Sequence, residues 1–338
     1  MKCYFCLTEP NANNLPYIDL LYVSLKSACE NTNLDLYVVY DGTENGRCWE
    51  ILQEFNVKII RHTFSHKQYL PKTFSKEYIH EISGGQDIAY EKLAGTFMRF
   101  DIPFIEQEDD YVFYADIDVL FLKDFSHENF GETEYLSAAP EFSKDLQNMT
   151  YFNAGVLYLN VKNMRAISNT VFEMLKKGEK NSINIFDQGY LNQLCFDKMT
   201  LMPLEFNWKP YWGINDEAYL IHFHAMKPSG TIENSGFAMT CDTLYSMLSG
   251  HFQDIGGYIY YLTLWYKTLG KDGTSWISDF ISQVFITIIE KQAEQIQSQQ
   301  IEIANIGHKY RKYKKLFKIA IYTALGILIT SVLLGVFL

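Results

Sequence analysis

Tyr111-Val112-Phe113-Tyr114-Ala115-Asp116-Ile117-Asp118-Val119-Leu120-Phe121-Leu122 is the stretch on which the rest of the sequence turns. Residues 111–115 are bulky or apolar and follow the acidic Asp109-Asp110. Such a run, bounded by charge, predicts a strand buried on both faces inside an α/β sheet. Asp116 and Asp118 then interrupt the apolar pattern. With the period of two of an extended chain, both carboxylates point to one side. Two unpaired carboxylates in apolar surroundings repel each other and lose hydration. A divalent cation relieves both costs, and hard oxygen donors suit Mg²⁺ or Mn²⁺ shared with a substrate phosphate. The plainer alternative is a pair of surface aspartates in a turn. The end of a buried strand favours the site, because open α/β sheets bind ligands at the carboxyl ends of their strands.

Working outward, residues 1–7 read as a first strand and 17–29 as a helix. Residues 34–40 follow as a second strand, closed by Asp41-Gly42, then 48–55 as a short helix and 57–61 as a third strand. Strands alternating with helices at this spacing imply βαβ units and a mostly parallel sheet. Residues 64–87 read as loop with short helical pieces. Residues 89–100 read as a helix carrying Arg99 and ending near Pro103. Further strands are expected at 136–139, 154–160, 201–206 and 219–223. Residues 164–176 have amphipathic spacing and stop at Gly178, a plausible C-cap. Asp187 can cap the helix that begins there, and 244–269 is aromatic-rich and helical in pattern.

The chain has 338 residues, enough for one large domain with appendages. Its formal net charge is −11, which argues against a nucleic-acid partner. Aromatics make up 16%, which suits cores as well as sugar-stacking and membrane-proximal surfaces. The six cysteines, at 3, 6, 29, 48, 195 and 241, read as reduced packing residues. Cys3 and Cys6 lie on opposite faces of a strand, which is poor geometry for a shared metal. The apolar stretch 3–7 is too short for a secretory signal.

The last sixty residues change character. Phe285, Ile289, Ile296, Ile303, Ile306 and Tyr310 repeat near a heptad spacing. One reading is an amphipathic helix on the body; the sharper one is a homo-oligomer formed through 281–310. Residues 319–338 hold no charged side chain. At about 1.5 Å per residue they span roughly 30 Å, the hydrocarbon thickness of a bilayer. Lys309, Arg311, Lys312, Lys314, Lys315 and Lys318 form a basic collar before them, which belongs on the cytoplasmic side. The expected division is a catalytic domain over 1–235 and an aromatic-rich helical subdomain over 236–280. An amphipathic helix over 281–315 and a single-pass membrane anchor over 316–338 complete it.

Other stretches carry chemistry. Phe152-Asn153-Ala154-Gly155 offers small residues for close backbone approach and an amide for hydroxyls. Asp187-Gln188 places a carboxylate and an amide at a helix start. His222 and His224 share a strand face, and the cationic Lys227 follows, suited to an anionic group. In order along the chain stand Met98-Arg99-Phe100 with Ile102-Pro103, Tyr114-Ala115-Asp116-Ile117-Asp118-Val119-Leu120 and Phe152-Asn153-Ala154-Gly155-Val156-Leu157. Asp187-Gln188-Gly189-Tyr190-Leu191-Asn192, Phe206-Asn207-Trp208 and Ile221-His222-Phe223-His224-Ala225-Met226-Lys227-Pro228 follow. Six motifs in this order are specific where one is not. The sequence thereby resembles glycosyltransferase family 8, the retaining enzymes that include glycogenin and bacterial lipopolysaccharide galactosyl- and glucosyltransferases. The resemblance covers roughly residues 1–230.

The resemblance implies an α/β GT-A fold, a UDP-sugar donor and Mn²⁺, with Mg²⁺ as the alternative. It implies Asp116, Asp118 and His222 as metal ligands and Lys227 on the diphosphate. Arg99, Asn153, Asp187 and Gln188 would hold the donor sugar, with Ile117 and Ala154 among the donor contacts. Asp187 and Gln188 would be the catalytic pair. Thr8, Glu9 and Asn14 would lie near uracil and ribose. The family often has Gly where Ala225 stands and Trp where Ser229 stands. The expected activity is a membrane-tethered, metal-dependent, retaining transfer of galactose or glucose from a UDP-hexose to a glycan or lipid-linked acceptor. The competing reading is an inactive sugar-nucleotide-binding scaffold whose tail mediates assembly. A phosphohydrolase or nucleotidyltransferase would use the aspartate pair but explains none of the later motifs.

Overall fold

The computed structural model describes residues 1–9, 15–55, 57–83, 87–183, 185–224, 227–228, 254–271 and 274–336. Residues Met1–Phe280 form one compact unit and Ile281–Leu338 a second.

The first unit is built on a seven-stranded sheet. β1 (Lys2–Thr8), β2 (Asp35–Asp41) and β3 (Lys58–Arg61) alternate with α1 (Leu15–Asn31) and α2 (Arg47–Glu54). β4 (Tyr111–Ala115), β6 (Leu136–Pro140), β7 (Phe152–Asn160) and β8 (Thr200–Leu201) complete the order β3-β2-β1-β4-β7-β6-β8. β7 alone runs against its neighbours; the β1–β2, β2–β3, β1–β4 and β6–β8 pairs are parallel. The sheet is therefore mostly parallel, as the βαβ spacing implied. The chain adds strands on one side of β1, then crosses to its other side for β4. That reversal makes the carboxyl ends of β1 and β4 a topological switch point, where open α/β sheets place their ligands.

β5 (Val119–Phe121) leaves this sheet and pairs antiparallel with β9 (Leu220–His222). The apolar run 111–122 is thus two strands in two sheets, and Asp116-Ile117-Asp118 is the crossing between them. The expectation of one continuous strand with period-two aspartates is corrected on this point. α1 covers β5, and the Phe121 N–H donates to Ser27 Oγ at 3.1 Å.

Helices α3 (Leu70–Thr73), α4 (Lys76–Ile82) and α5 (Tyr90–Phe97) follow the pattern read from sequence, α6 (Ile102–Ile105) is a further turn where the chain was expected to leave the helix near Pro103, and α7 (Val161–Lys177) and α8 (Asp187–Cys195) again follow the pattern. On one face of the sheet they enclose an aromatic core in which Phe64, Phe74, Phe97, Phe172 and Tyr190 meet at tilted and edge contacts. α7 starts on Asn160, whose side chain accepts from the Asn163 N–H at 3.1 Å, and stops at Gly178 with φ 79°. That left-handed conformation suits a residue without Cβ. The strand expected over 201–206 shrinks to Thr200–Leu201, because Pro203 has no N–H for a ladder and 204–206 coil into a 3₁₀ turn. The five described cysteines are free. Burial pushes the Cys3 and Cys6 thiols up, so both act as packing groups.

α9 (Ile255–Leu269) belongs to the same unit and packs against α1 and the turn at Pro210–Trp212. It buries Tyr258, Tyr261 and Trp265. Residues 244–253 of the expected helix lie outside the described residues. α10 (Thr274–Val336) is a continuous helix of 63 residues. Ile289, Ile296, Ile303, Tyr310 and Phe317 recur along it every seven residues, all solvent-exposed. Among the described residues, no helix is long and apolar enough to cross a membrane. The side chains of 324–338, most of the expected anchor, lie outside the described residues.

Candidate active site

The site sits at the switch point. Asp116 follows the last residue of β4, and its N–H donates to Gly155 O at 2.7 Å, which sets the bend. Pairing of β5 with β9 places Val119 opposite His222 and so carries the imidazole across the sequence to the aspartates. One donor atom from each of Asp116, Asp118 and His222 lies within 4.8 Å of the other two. His222 Nε2 stands 3.4 Å from Asp118 Oδ1.

The environment of each donor suits a cation. Burial, with His224 and Lys209 nearby, pushes the His222 pKa well below its ordinary value, so the ring is neutral and carries a lone pair. Asp118 is buried and Asp116 half-buried. Gly155 is required beneath them: a Cβ there would lie 2.3 Å from His222 Cε1 and 2.9 Å from Asp116 Oδ2. The close approach that its sequence context foretold is to the candidate ligands themselves. Two oxygens and one nitrogen make a donor set that could hold a divalent cation.

Arg99 ties the acids together. Its Nη2 donates to Asp116 Oδ1 at 3.0 Å, its Nε faces Asp187 Oδ2 at 3.1 Å, and its Nη1 donates to Ala154 O. The guanidinium also stacks on Tyr114 at 4.7 Å, and the Tyr114 hydroxyl donates to Asp116. Arg99 thus anchors Asp116 and Asp187. Burial raises the Asp187 pKa above the ordinary value, with Arg99 pulling back and Asp116 pushing further up. The helix α8 begins at Asp187 with no side-chain cap at Phe186, so the expected capping role is corrected: this carboxylate faces Arg99 instead. Gln188 Oε1 accepts from the Ala154 N–H at 2.7 Å, so Arg99 and Gln188 grip the two sides of one peptide residue.

A cavity opens beside these groups, lined by Thr8 of β1, Lys92 and Thr96 of α5, Arg99, Asp116–Asp118 and Lys227. The Lys227 ammonium contacts Asp118 Oδ2. Burial, with repulsion from Lys92, takes its pKa down to about 8 against the pull of Asp116. Thr8 and Ile117 line the cavity, whereas the Glu9 carboxylate is held by Thr43. Asn14, Ala225 and Ser229 lie outside the described residues.

Asn153 is held within the protein. It is 2% exposed and does not line the cavity. Its Nδ2 donates to Glu141 Oε2 at 2.9 Å, and its Oδ1 accepts from the Gly155 N–H and Asn207 Nδ2. Both ends of its amide are thereby engaged within the protein. His224 also turns away: its Nε2 meets Glu141 Oε1 at 2.8 Å and its Nδ1 the Tyr211 hydroxyl at 3.0 Å. Sequence reasoning missed Tyr114, Glu141, Lys92, Asn207 and Lys209. Tyr114 and Asn207 stood inside quoted motifs; Glu141 gave no signal of its own.

Lys209 yields a test. Its Nζ donates to Pro140 O at 3.0 Å, and burial lowers its pKa to about 7 despite the Glu141 charge. Between about pH 7 and its ordinary value of 10.5 the unfolded chain holds this proton and the folded chain does not. Stability contributed by this site therefore rises with pH across that window. Urea unfolding of wild type and Lys209→Met at pH 7 and pH 9 should show a stability difference that moves in favour of wild type by up to about 1.4 kcal/mol per pH unit. A pH-independent difference would place the titration elsewhere.

No curated protein matches the sequence. The fold is similar to that of the galactosyltransferase LgtC, solved in complex with donor and acceptor sugar analogues, at 18% identity and TM-score 0.51. That alignment covers 82% of this chain and 100% of the other. It is also similar to the apo form of the glycosyltransferase GlyE of Streptococcus pneumoniae TIGR4, at 19% identity and TM-score 0.51. There 83% of this chain matches 63% of GlyE, so less than two thirds of that protein is spanned. At these identities the likeness establishes the architecture, a GT-A-like α/β fold. The family model for glycosyl transferase family 8 matches residues 12–229, a span that takes in most of the sheet, both aspartates, His222 and Lys227. With more than half of its length matched in this way, the chain belongs to glycosyl transferase family 8.

Proposed function

We propose that the protein transfers a hexose, galactose or glucose, from a UDP-sugar to a glycan or lipid-linked acceptor, with retention of configuration and with a divalent cation bound. The observation that carries the reading is the convergence of Asp116, Asp118 and His222 beside a cavity that Asp116, Asp118 and Lys227 line. The three donors would hold Mn²⁺ or Mg²⁺. Lewis-acid stabilisation of the departing diphosphate is the chemistry such a cation supplies when bound.

The chain's own groups do the rest. Breaking the anomeric C–O bond leaves negative charge on the diphosphate and oxocarbenium character on the sugar. Lys227 faces that developing negative charge in a largely buried position, where its attraction is strongest. Asp187, held by Arg99, and Gln188, bonded to the Ala154 N–H, are the carboxylate and amide that the family motif assigns to the donor sugar. The Gln188 amide is a poor nucleophile, and its oxygen is already committed to the Ala154 N–H. That favours attack by the acceptor hydroxyl from the leaving-group face, with the hydroxyl proton passing to the departing diphosphate.

The charge-free run at 319–338 after a basic collar supports a tether with the body on the cytoplasmic face, which would concentrate the enzyme near a membrane-borne acceptor. The exposed seven-residue stripe of α10 supports pairing between copies through 281–310. Thermal unfolding of the detergent-solubilised full chain tests the donor reading. UDP-galactose or UDP-glucose with Mn²⁺ is expected to raise Tm by several degrees, and either component alone by less. No shift with any UDP-sugar in the presence of Mn²⁺ would exclude it.

A further inference from the structure

We infer that Asn207 is a positioning residue: it fixes the tautomer and the ring orientation of His222, and Asn153 and Glu141 hold it in place. The inference rests on the reading that Asp116, Asp118 and His222 share a cation, and its logic lies in hydrogen-bond polarity.

His222 is 2% exposed, so both ring nitrogens need partners inside the protein. Nδ1 lies 3.0 Å from Asn207 Oδ1, an oxygen that only accepts. The proton therefore sits on Nδ1, and the Nε2 lone pair, 3.4 Å from the acceptor-only Asp118 Oδ1, is left for a cation to take. The opposite tautomer would set a lone pair against the amide oxygen and aim an N–H at the cation position. For a metal-bound histidine, the partner of the second nitrogen decides which nitrogen is free to coordinate.

Asn207 has no freedom to reverse its amide. Its Nδ2 donates to Asn153 Oδ1 at 3.1 Å, so a flip would bring two oxygens together. Asn153 is fixed in turn from two sides. Its Oδ1 accepts from the Gly155 N–H at 3.0 Å, and its Nδ2 donates to the Glu141 carboxylate at 2.9 Å. A backbone N–H can only donate and an ionised carboxylate can only accept. Glu141 is held by His224 Nε2 at 2.8 Å, and burial, which alone would raise its pKa, is outweighed by His224, Asn153 and Lys209, which bring it to about 2. The direction of every bond from Glu141 to His222 is thus set at its ends. Gly155 serves the same ring, since only a residue without Cβ leaves room for His222 Cε1.

Two measurements test the inference on the full chain. ¹⁵N NMR of histidine-labelled, metal-free wild type reports the tautomer directly; Nδ1–H at His222 is expected, and Nε2–H overturns the proposal without any variant. Mn²⁺ affinity by electron paramagnetic resonance is then compared in wild type, Asn207→Leu, His222→Ala and the double variant. Asn207→Leu is expected to weaken Mn²⁺ binding by about 10- to 100-fold, the usual effect of losing an outer partner of a metal ligand. In the His222→Ala background the same change is expected to have no further effect. Wild-type affinity in folded Asn207→Leu, or an equal loss in both backgrounds, overturns the proposal. Failure of wild type to bind Mn²⁺ would instead remove the metal reading, and the tautomer measurement would still decide the role of Asn207. The tautomer result also decides should Asn207→Leu not fold.

Discussion

Asp118→Asn is expected to abolish metal-dependent UDP-sugar turnover while leaving the fold intact. Loss of an outer partner already costs about 10- to 100-fold in metal affinity, and loss of a ligand itself should exceed that. Asp118 is the central member of the cluster. One oxygen faces His222 and the other takes the Lys227 ammonium, so a neutral amide weakens the candidate cation site and releases Lys227 together. Stability should change little, because the substitution keeps the shape and also removes one of two neighbouring negative charges. The measurement is UDP release from a UDP-hexose across a Mn²⁺ titration, with Tm followed alongside. The wild-type rise in Tm with Mn²⁺ and donor should vanish. Full turnover in the folded variant would rule out Asp118 as a ligand, and with it the mechanism built on Lys227 and the acid pair.

Much of the frame was legible because its signals are local. The β1–α1–β2–α2–β3 succession follows from apolar runs punctuated by Asp41-Gly42, and the end of α7 from Gly178 after a basic last turn. The run 111–122 misled in one respect. Period two holds only while the chain stays in one sheet, and between Ala115 and Val119 it changes sheets. The two aspartates are side by side because the chain crosses there. The 201–206 reading failed for a local reason, the missing N–H of Pro203, that apolar content obscured.

The site was legible to the depth of its motifs. Asp116, Asp118, His222, Arg99 and Lys227 all stood in quoted motifs and all meet at the switch point. Their partners could not be read the same way. Whether Asn153 faces a sugar or faces Asn207 depends on which side of β7 is covered, and that is settled by residues 54 positions away. Glu141 is one acid after a strand; only the fold reveals that it terminates a chain of amides leading to His222.

Arg99→Met is expected to destabilise the protein by about 3–5 kcal/mol at pH 8, the cost of leaving a buried charge without its partner. The guanidinium is buried and meets two carboxylates, a peptide oxygen and an aromatic face, so the change orphans several groups together. The loss should depend on pH in a defined direction. Asp187 already has a raised pKa with Arg99 beside it, and without that cation it rises further. A carboxyl whose folded pKa exceeds its unfolded one binds more protons in the folded state between those two values. Stability then falls as pH rises through that window. The variant should accordingly be nearer to wild type at pH 5.5 than at pH 8, as read from urea unfolding at both. Arg99→Lys should not rescue it, because a point ammonium cannot serve Asp116, Asp187 and Ala154 O from one position as a planar fork does. Equal stability of Arg99→Met and wild type at pH 8 would mean that Asp187 is neutral in the native protein. Its proposed role as an ionised carboxylate toward the donor sugar would then be lost.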